Sequence, residues 1–338
     1  MRAVHSLYTC AERGSSVSSI VAKILIEGDK HFCSKNHGGH RDYPSETLYY
    51  ARLVSELIKS EGVTHYINAG DFTYGRFDRL EYRAEVDKIL RDMSSQLNGN
   101  VWFLKGNHDS ASYGTTEFEY YAASGWFKTS ETLDFALGTT GGGLHLEMKD
   151  FGDYSQFNEV PGAINLLVTH GFFTFDQEKR IMKPNTIMAE HEPWKGIDML
   201  VCGHIHTESF ERGHGFAGKD VAMHYLPCLS RPEYIRNGMQ ADGSVDIFTV
   251  YDDGSVNMEQ RAIKMLPLET SFDIEAIKAA DMQAEENERV AIDVSDIAKK
   301  MEEHTRVASE PIAVIAGLPE VAEPVKRVAI ELIKMAKA

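Results

Sequence analysis

The sequence predicts a layered α/β fold, on three observations. Five short apolar runs each stop at polar residues suited to binding or catalysis. The first three runs alternate with stretches of helical spacing, the pattern of a parallel sheet covered by helices. From about Asp134 the chain changes to short strands and turns, which predicts a second, more antiparallel sheet.

Residues 1–21, with Gly14-Ser15-Ser16 near their centre, carry no readable pattern and are set apart as an N-terminal extension. Residues 22–27 read as a buried strand that stops at Gly28-Asp29-Lys30-His31. Pro44-Ser45-Glu46 then opens a helix with apolar positions at Leu48, Leu53, Val54, Leu57 and Ile58, closed near Glu61-Gly62, since glycine readily takes the left-handed conformation after a helix. A strand over 63–69 runs into Gly70-Asp71, a helix falls within 80–97, and a strand over 101–104 runs into Lys105-Gly106-Asn107-His108-Asp109. Further strands over 164–168 and 197–202 run into Thr169-His170-Gly171 and Gly203-His204-Ile205-His206. Residues 245–251 lead into Asp252-Asp253-Gly254-Ser255, a hairpin turn by composition. Beyond Pro267 the composition shifts to Ala, Glu, Lys and Ile at helical spacing, interrupted near Pro311, Pro319 and Pro324. The boundaries are therefore 22–265 for a catalytic domain and 266–338 for a helical C-terminal appendage.

Composition narrows the function. A chain of 338 residues with 43% hydrophobic and 25% charged residues can bury a sizeable core. Its 35 Lys and Arg against 51 Asp and Glu leave a formal charge of −16, which argues against a surface that grips nucleic acid by phosphate neutralisation. The four cysteines, at 10, 33, 202 and 228, show no Cys-x-x-Cys spacing, so buried thiols are expected rather than a disulfide framework or zinc knuckle. No apolar run reaches the roughly 18 residues of a membrane span, and the residues after Met1 lack a signal peptide's apolar core. A cytoplasmic protein without membrane attachment is the expectation.

In a parallel sheet, ligands bind beyond the carboxyl ends of the strands, so the five polar segments should gather. Asp29, His31, Asp71, Asn107, His108, His170, His204 and His206 then offer two carboxylates, one amide oxygen and five imidazoles, enough for two metal ions. Imidazole with carboxylate suits divalent transition metals, Mn²⁺ first and Fe²⁺ or Zn²⁺ next, whereas an all-oxygen set would favour Mg²⁺ or Ca²⁺. Two such ions need a shared carboxylate. Asp71 is the choice, because Gly70 lets the backbone turn sharply at the strand end.

Asp-x-His at 29–31, Gly-Asp at 70–71, Gly-Asn-His-Asp at 106–109, Thr-His at 169–170 and Gly-His-x-His at 203–206 resemble, in order, the five motifs of the calcineurin-like metallophosphoesterases. The resemblance covers roughly residues 22 to 262 and implies a four-layer αββα sandwich. Carried over, it gives Asp29, His31 and His206 to one metal, Asn107, His170 and His204 to the other, and Asp71 to both. His108 would stay off the metals as transition-state stabiliser or general acid, with Asp109 orienting it, while a metal-bridging hydroxide attacks phosphorus.

The loop from Cys33 to Arg41 follows the first motif, and its Lys35, His37, His40 and Arg41 are candidates to steady a substrate phosphate. A solvated Gly-rich loop is the competing reading. Arg231 is a similar candidate, with a structural salt bridge as the alternative. The Trp and Tyr residues are assigned to packing.

Within the family, Gly70-Asp71-Phe72-Thr73-Tyr74 and a third motif ending in Asp109 differ from the protein serine/threonine phosphatases, whose second motif is Gly-Asp-x-Val-Asp-Arg-Gly. Tyr74 matches the spacing of the ferric-ligand tyrosine of purple acid phosphatases. Those enzymes have glycine where His31 stands, so Tyr74 is read as structural. An intact Asp-x-His with Gly-Asn-His-Asp looks most like phosphodiesterases, including the bacterial and phage SbcD-type repair nuclease subunits. That implies a DNA or RNA phosphodiester substrate in a bacterial or phage-infected cell. It also suggests a coiled-coil ATPase partner, or a second copy, on the C-terminal helices. Two alternatives stand beside the nuclease: a phosphodiesterase or phosphatase for small nucleotides, and a metal-stabilised binding subunit of a DNA-processing complex.

Overall fold

The computed structural model describes residues 18–36, 39–110, 115–138, 141–175, 187–188, 192–206, 208–214, 220–230, 243–284, 287, 311–319 and 321–337. Two sheets carry the fold. The first has the order β13-β12-β1-β2-β3, with β1 (Ile20–Glu27), β2 (His65–Asn68) and β3 (Val101–Phe103) parallel. The hairpin β12 (Gly243–Tyr251) and β13 (Val256–Ile263) joins it antiparallel along β1. The helices between the parallel strands are α1 (Tyr43–Glu61) and α2 (Leu80–Gln96).

Local chemistry explains these elements. The Asp42 carboxylate accepts from the Ser45 amide to start α1, and Gly62, at φ 65°, ends it. A third helix, α3 (Glu117–Ser124), opens on a reciprocal cap between Thr116 and Glu119. The apolar faces of α1, α2 and α3 bury Val54, Ile58, Val86, Leu90 and Tyr121 against Leu25, Tyr66 and Phe103 of the first sheet.

The second sheet has the order β10-β11-β9-β6-β5-β4, where β4 is Thr132–Phe135, β5 Leu144–Lys149, β6 Ile164–His170, β9 Met199–Gly203, β10 Ser209–His214 and β11 Asp220–Tyr225. It corrects one expectation. The four strands β5, β6, β9 and β11 pair in parallel, and only the edges β4 and β10 are antiparallel. The apolar runs over 164–168 and 197–202 belong to buried parallel strands of the kind seen in the first sheet, while the antiparallel hairpin near 245–263 extends that first sheet.

The sheets pack face to face through Ile24, Ile26, Ile67, Leu146, Leu166, Val168, Val201 and Phe248. Trp194 and Phe173 cover the outer side of the second sheet, and β7 (Phe173–Thr174) pairs in parallel with β8 (Ile187–Met188). Trp102 and Trp194 are buried, as are the thiols of Cys33, Cys202 and Cys228, as expected. Residues 1–17, including Cys10, lie outside the described residues.

The chain divides into two compact units, Met1–Phe272 and Asp273–Ala338. In the second, residues 274–284 and helices Pro311–Ala316 and Glu323–Lys337 are helical, and Ile315, Val325 and Ala329 form a small core. No helix among the described residues is long and apolar enough to cross a membrane.

One buried ion pair makes the inter-sheet layer sensitive to pH. His224 of β11 and Asp246 of β12 stand on the faces that carry Ala222 and Phe248 into the core, with Nδ1 2.7 Å from Oδ2. Burial works against a charged His224, but Asp246 and Glu208 raise it to about 9. Its folded value thus exceeds the ordinary 6.5, so the stabilisation is complete below pH ~6.5 and fades toward pH ~9, while burial holds the Asp246 carboxyl above its ordinary range despite the imidazole beside it. Urea unfolding at pH 6 and pH 9 should show that loss, and His224→Asn should remove the pair's share of it, leaving the share of the buried His170, which is lifted to about 9 as well. A wild-type midpoint equal at both pH values would refute the assignment.

Candidate metal centre

Five strands deliver the polar residues to one end of the sandwich. β1, β2 and β3 of the first sheet end just before Asp29, Asp71 and Asn107. β6 ends on His170, and β9 ends on Gly203, one residue before His204. Thr169 and His170 therefore close a strand instead of opening a loop.

The first two segments are zipped together. The amides of Lys30 and His31 both donate to Asp71 O, at 3.1 and 2.8 Å, and Phe32 N donates to Phe72 O at 2.9 Å. Lys30 points the other way, into a buried pair with Glu27 at 2.7 Å, and the Tyr66 hydroxyl donates to the same carboxylate at 2.6 Å. Asp29 and His31 are thereby left facing the site.

Their backbone is strained. His31, Asp71 and His204 have φ of 48°, 49° and 90°, a region that non-glycine residues enter at a cost and that clusters at functional sites. Gly70, at φ 115°, lets the chain pass the His170 ring, which a Cβ there would overlap. At Gly106 a Cβ would overlap both Asp71 Oδ1 and the Asp71 backbone nitrogen. Backbone cannot swing aside, so Gly106→Ala should cost about 1–3 kcal/mol in urea unfolding and displace the Asp71 carboxylate. An unchanged midpoint would show that this close approach is not needed.

The donor atoms fall into two groups, Asp29 with His31 and His206, and Asp71 with His170 and His204, each within 4.8 Å. In the first, His206 Nε2 lies 3.0 Å from His31 Nε2 and 3.3 Å from Asp29 Oδ2. In the second, Asn107 Oδ1 lies 2.9 Å from His170 Nε2 and 2.8 Å from His204 Nδ1. Asp71 Oδ2 stands between the groups, 3.3 Å from His170 Nε2 and 3.7 Å from His31 Nε2.

The donor set fits two cations. Asp29 Oδ2 is buried without a hydrogen-bond partner, a costly arrangement unless a cation meets it. Asp29 Oδ1 accepts from the His204 amide at 2.8 Å. His170 Nδ1 donates to Ala69 O at 2.9 Å, which leaves Nε2 as the coordinating nitrogen.

Electrostatics agree. Burial would raise Asp29, but His170, His206 and His31 hold it well below the usual carboxylate range. Asp71 is lowered too, against burial, chiefly by its hydrogen bond to His170. Burial would lower His170, but these two carboxylates lift it to about 9, so it carries positive charge where a metal would supply it. His204 is pushed down to about 4 by burial and the His170 charge, and a neutral imidazole is the form that coordinates.

His108 stands apart from both groups, with Nε2 4.0 Å from Asp71 Oδ2 and its side chain 38% exposed. Partial burial lowers its pKa. Its amide donates to Asp71 Oδ1 at 2.9 Å, and its ring stacks on Tyr74 at 4.7 Å and 30°. Tyr74 thus supports the His108 ring and also meets His31 edge-on at 5.3 Å.

Three expected roles are corrected. Asp109 does not orient the His108 ring. Its Oδ2 accepts from the amides of Phe72 and Gly106, at 3.0 and 2.9 Å, and its Oδ1 from the Thr73 amide and hydroxyl, at 2.9 and 3.2 Å. Those bonds fill the roughly four acceptor positions of a carboxylate, so Asp109 ties the second polar segment to the third. His40 is buried against Tyr43 and Phe272, with ring centroids at 4.5 and 4.0 Å, and faces Glu46 at 3.4 Å. Arg41 donates through Nε to Glu269 O and Phe272 O, at 3.2 and 3.1 Å. Both pin the loop to residues 269–272.

Lys35 is exposed and paired with Asp78. His37 and Arg231 lie outside the described residues. One neighbour had no signal in the sequence. Phe151, just beyond β5, sets its ring 6.4 Å from His204 and 6.0 Å from His170.

A family model described as calcineurin-like phosphoesterase matches residues 22–208, more than half of the chain. No curated protein matches it. Among solved structures, a dimetal phosphatase from Danio rerio is similar at 12% identity, with a TM-score of 0.43, covering 72% of this chain and 97% of that one.

Proposed function

Because the chain belongs to the calcineurin-like phosphoesterase family, and is thus a metal-dependent phosphoesterase, we propose that it hydrolyses phosphodiesters, with DNA or RNA as the lead substrates. The observation that carries the reading is His108. It is held beside both donor groups, belongs to neither, and remains accessible to a substrate.

In this reading Asp29, His31 and His206 would hold one ion and Asn107, His170 and His204 the other, with Asp71 placed to serve both and Mn²⁺ the favoured metal. When bound, such ions would supply Lewis-acid activation of water at neutral pH and positive charge for a phosphoryl group. The chain's own residues do the rest. His108 Nε2 faces the substrate, either to stabilise charge on the phosphoryl group or to pass a proton to the leaving oxygen, while Tyr74 and the bond from the His108 amide to Asp71 Oδ1 fix the angle of approach. Asp109 acts at a distance, by fixing the backbone of Phe72, Thr73 and Gly106 around Asp71.

A smaller substrate is the second reading, and the charge of −16 favours it, since a long duplex would be repelled by the surface around the site. A manganese-supplemented panel separates the two. It compares single-stranded DNA, duplex ends, a cyclic dinucleotide, bis-p-nitrophenyl phosphate and p-nitrophenyl phosphate. Cleavage of the diesters in preference to the monoester is expected. Cleavage of the monoester alone would overturn the phosphodiesterase reading, and cleavage of the cyclic dinucleotide without DNA would shift it to small nucleotides.

A further inference from the structure

Phe151 is 41% exposed, unlike Phe32, Phe72, Phe103 and Phe118, which the same unit buries. It is also firmly placed. The Lys105 amide donates to Asp150 Oδ1 at 2.8 Å, and the Phe151 amide donates to Lys105 O at 2.7 Å. Gly152, at φ 84°, completes the turn. Lys105 immediately precedes Gly106-Asn107-His108, so the ring is fixed relative to the second donor group. It lies at 29° to the His204 imidazole and edge-on, at 75°, to His170. Lys105 Nζ is engaged by Glu119 at 3.2 Å, so this edge of the site offers an aromatic ring before it offers a cation.

We propose that Phe151 is a stacking platform for a nucleobase, which makes this a site for nucleoside phosphoesters whose phosphate lies over the two donor groups. The inference rests on the phosphoesterase reading and names its substrate class. A nucleotide held by its phosphate carries its base one ribose away, where an exposed ring bordering His170 and His204 can meet it. Every base has a π-face, so such a platform selects for nucleosides without reading their sequence. A residue that only shielded the imidazoles from water would not need an aromatic face.

The test is binding, and so does not depend on which ester is turned over. Calorimetry on the Mn²⁺-loaded full chain compares AMP, ribose 5-phosphate and inorganic phosphate. Wild type and Phe151→Tyr should bind AMP about tenfold more tightly than ribose 5-phosphate. Phe151→Ala should lose that preference while its affinity for ribose 5-phosphate and its manganese content stay unchanged. Phe151→Leu, which keeps an apolar shield without a π-face, should behave like the alanine variant and covers the case in which alanine fails to fold. Equal binding of AMP and ribose 5-phosphate by wild type would overturn the proposal, as would one common loss for all three ligands in Phe151→Ala. Loss of diester cleavage in the manganese-supplemented panel would overturn the phosphodiesterase reading by itself, so the two failures are distinguishable.

Discussion

Asp71→Asn should lower phosphoester hydrolysis by at least about a thousandfold, the scale expected when a metal pair loses the carboxylate common to both ions. Asp71 Oδ2 faces His170 of one group, at 3.3 Å, and His31 of the other, at 3.7 Å. An amide has nearly the same shape but no charge, so the backbone can persist while the shared ligand is lost. Oδ1 still accepts from the His108 amide in the carboxylate's place, provided the amide oxygen occupies that position. The variant should therefore fold and bind less than two equivalents of manganese. Metal content and bis-p-nitrophenyl phosphate turnover, measured on one preparation, check this. Full activity with two equivalents bound would remove Asp71 from the metal centre.

His108→Ala should divide the functions that Asp71→Asn removes together. Its ring is 38% exposed, and its nearest approach to a ligand carboxylate is 4.0 Å, so two equivalents of manganese should still bind. A group that protonates a leaving oxygen contributes about 10²–10⁴-fold. The loss should be largest for esters of ordinary alcohols and smallest for p-nitrophenyl esters, whose leaving group departs without a proton. The variant-to-wild-type ratio, plotted against leaving-group pKa, is the measurement. A flat plot would mean that His108 stabilises charge on the phosphoryl group without delivering a proton.

Much of this site was legible from the chain because its donors follow strands, and strand periodicity is local. The five apolar runs announced where the backbone would stop, and Gly70 marked the turn just before Asp71. Such patterns do not say with which sheet a strand pairs. The apolar run over 164–168 is equally consistent with parallel and antiparallel neighbours, and β6 found parallel ones in β5 and β9.

The sequence by itself determined the order and chemistry of the candidate metal donors and the alternation of strand and helix that carries the first three of them. The tertiary structure decided where the remaining polar and aromatic side chains go. Asp109 follows His108 in sequence, yet its carboxylate belongs to the amides of Phe72 and Thr73. His40 sits in a loop rich in donors, yet it is buried against Phe272, more than two hundred residues away. Phe151 belongs to no motif, yet it borders His170 and His204. Propensity and spacing report only on neighbours along the chain. A side chain's partner is set by the lowest free energy among groups brought together from distant segments, where a buried carboxylate must find donors and a ring must find a surface.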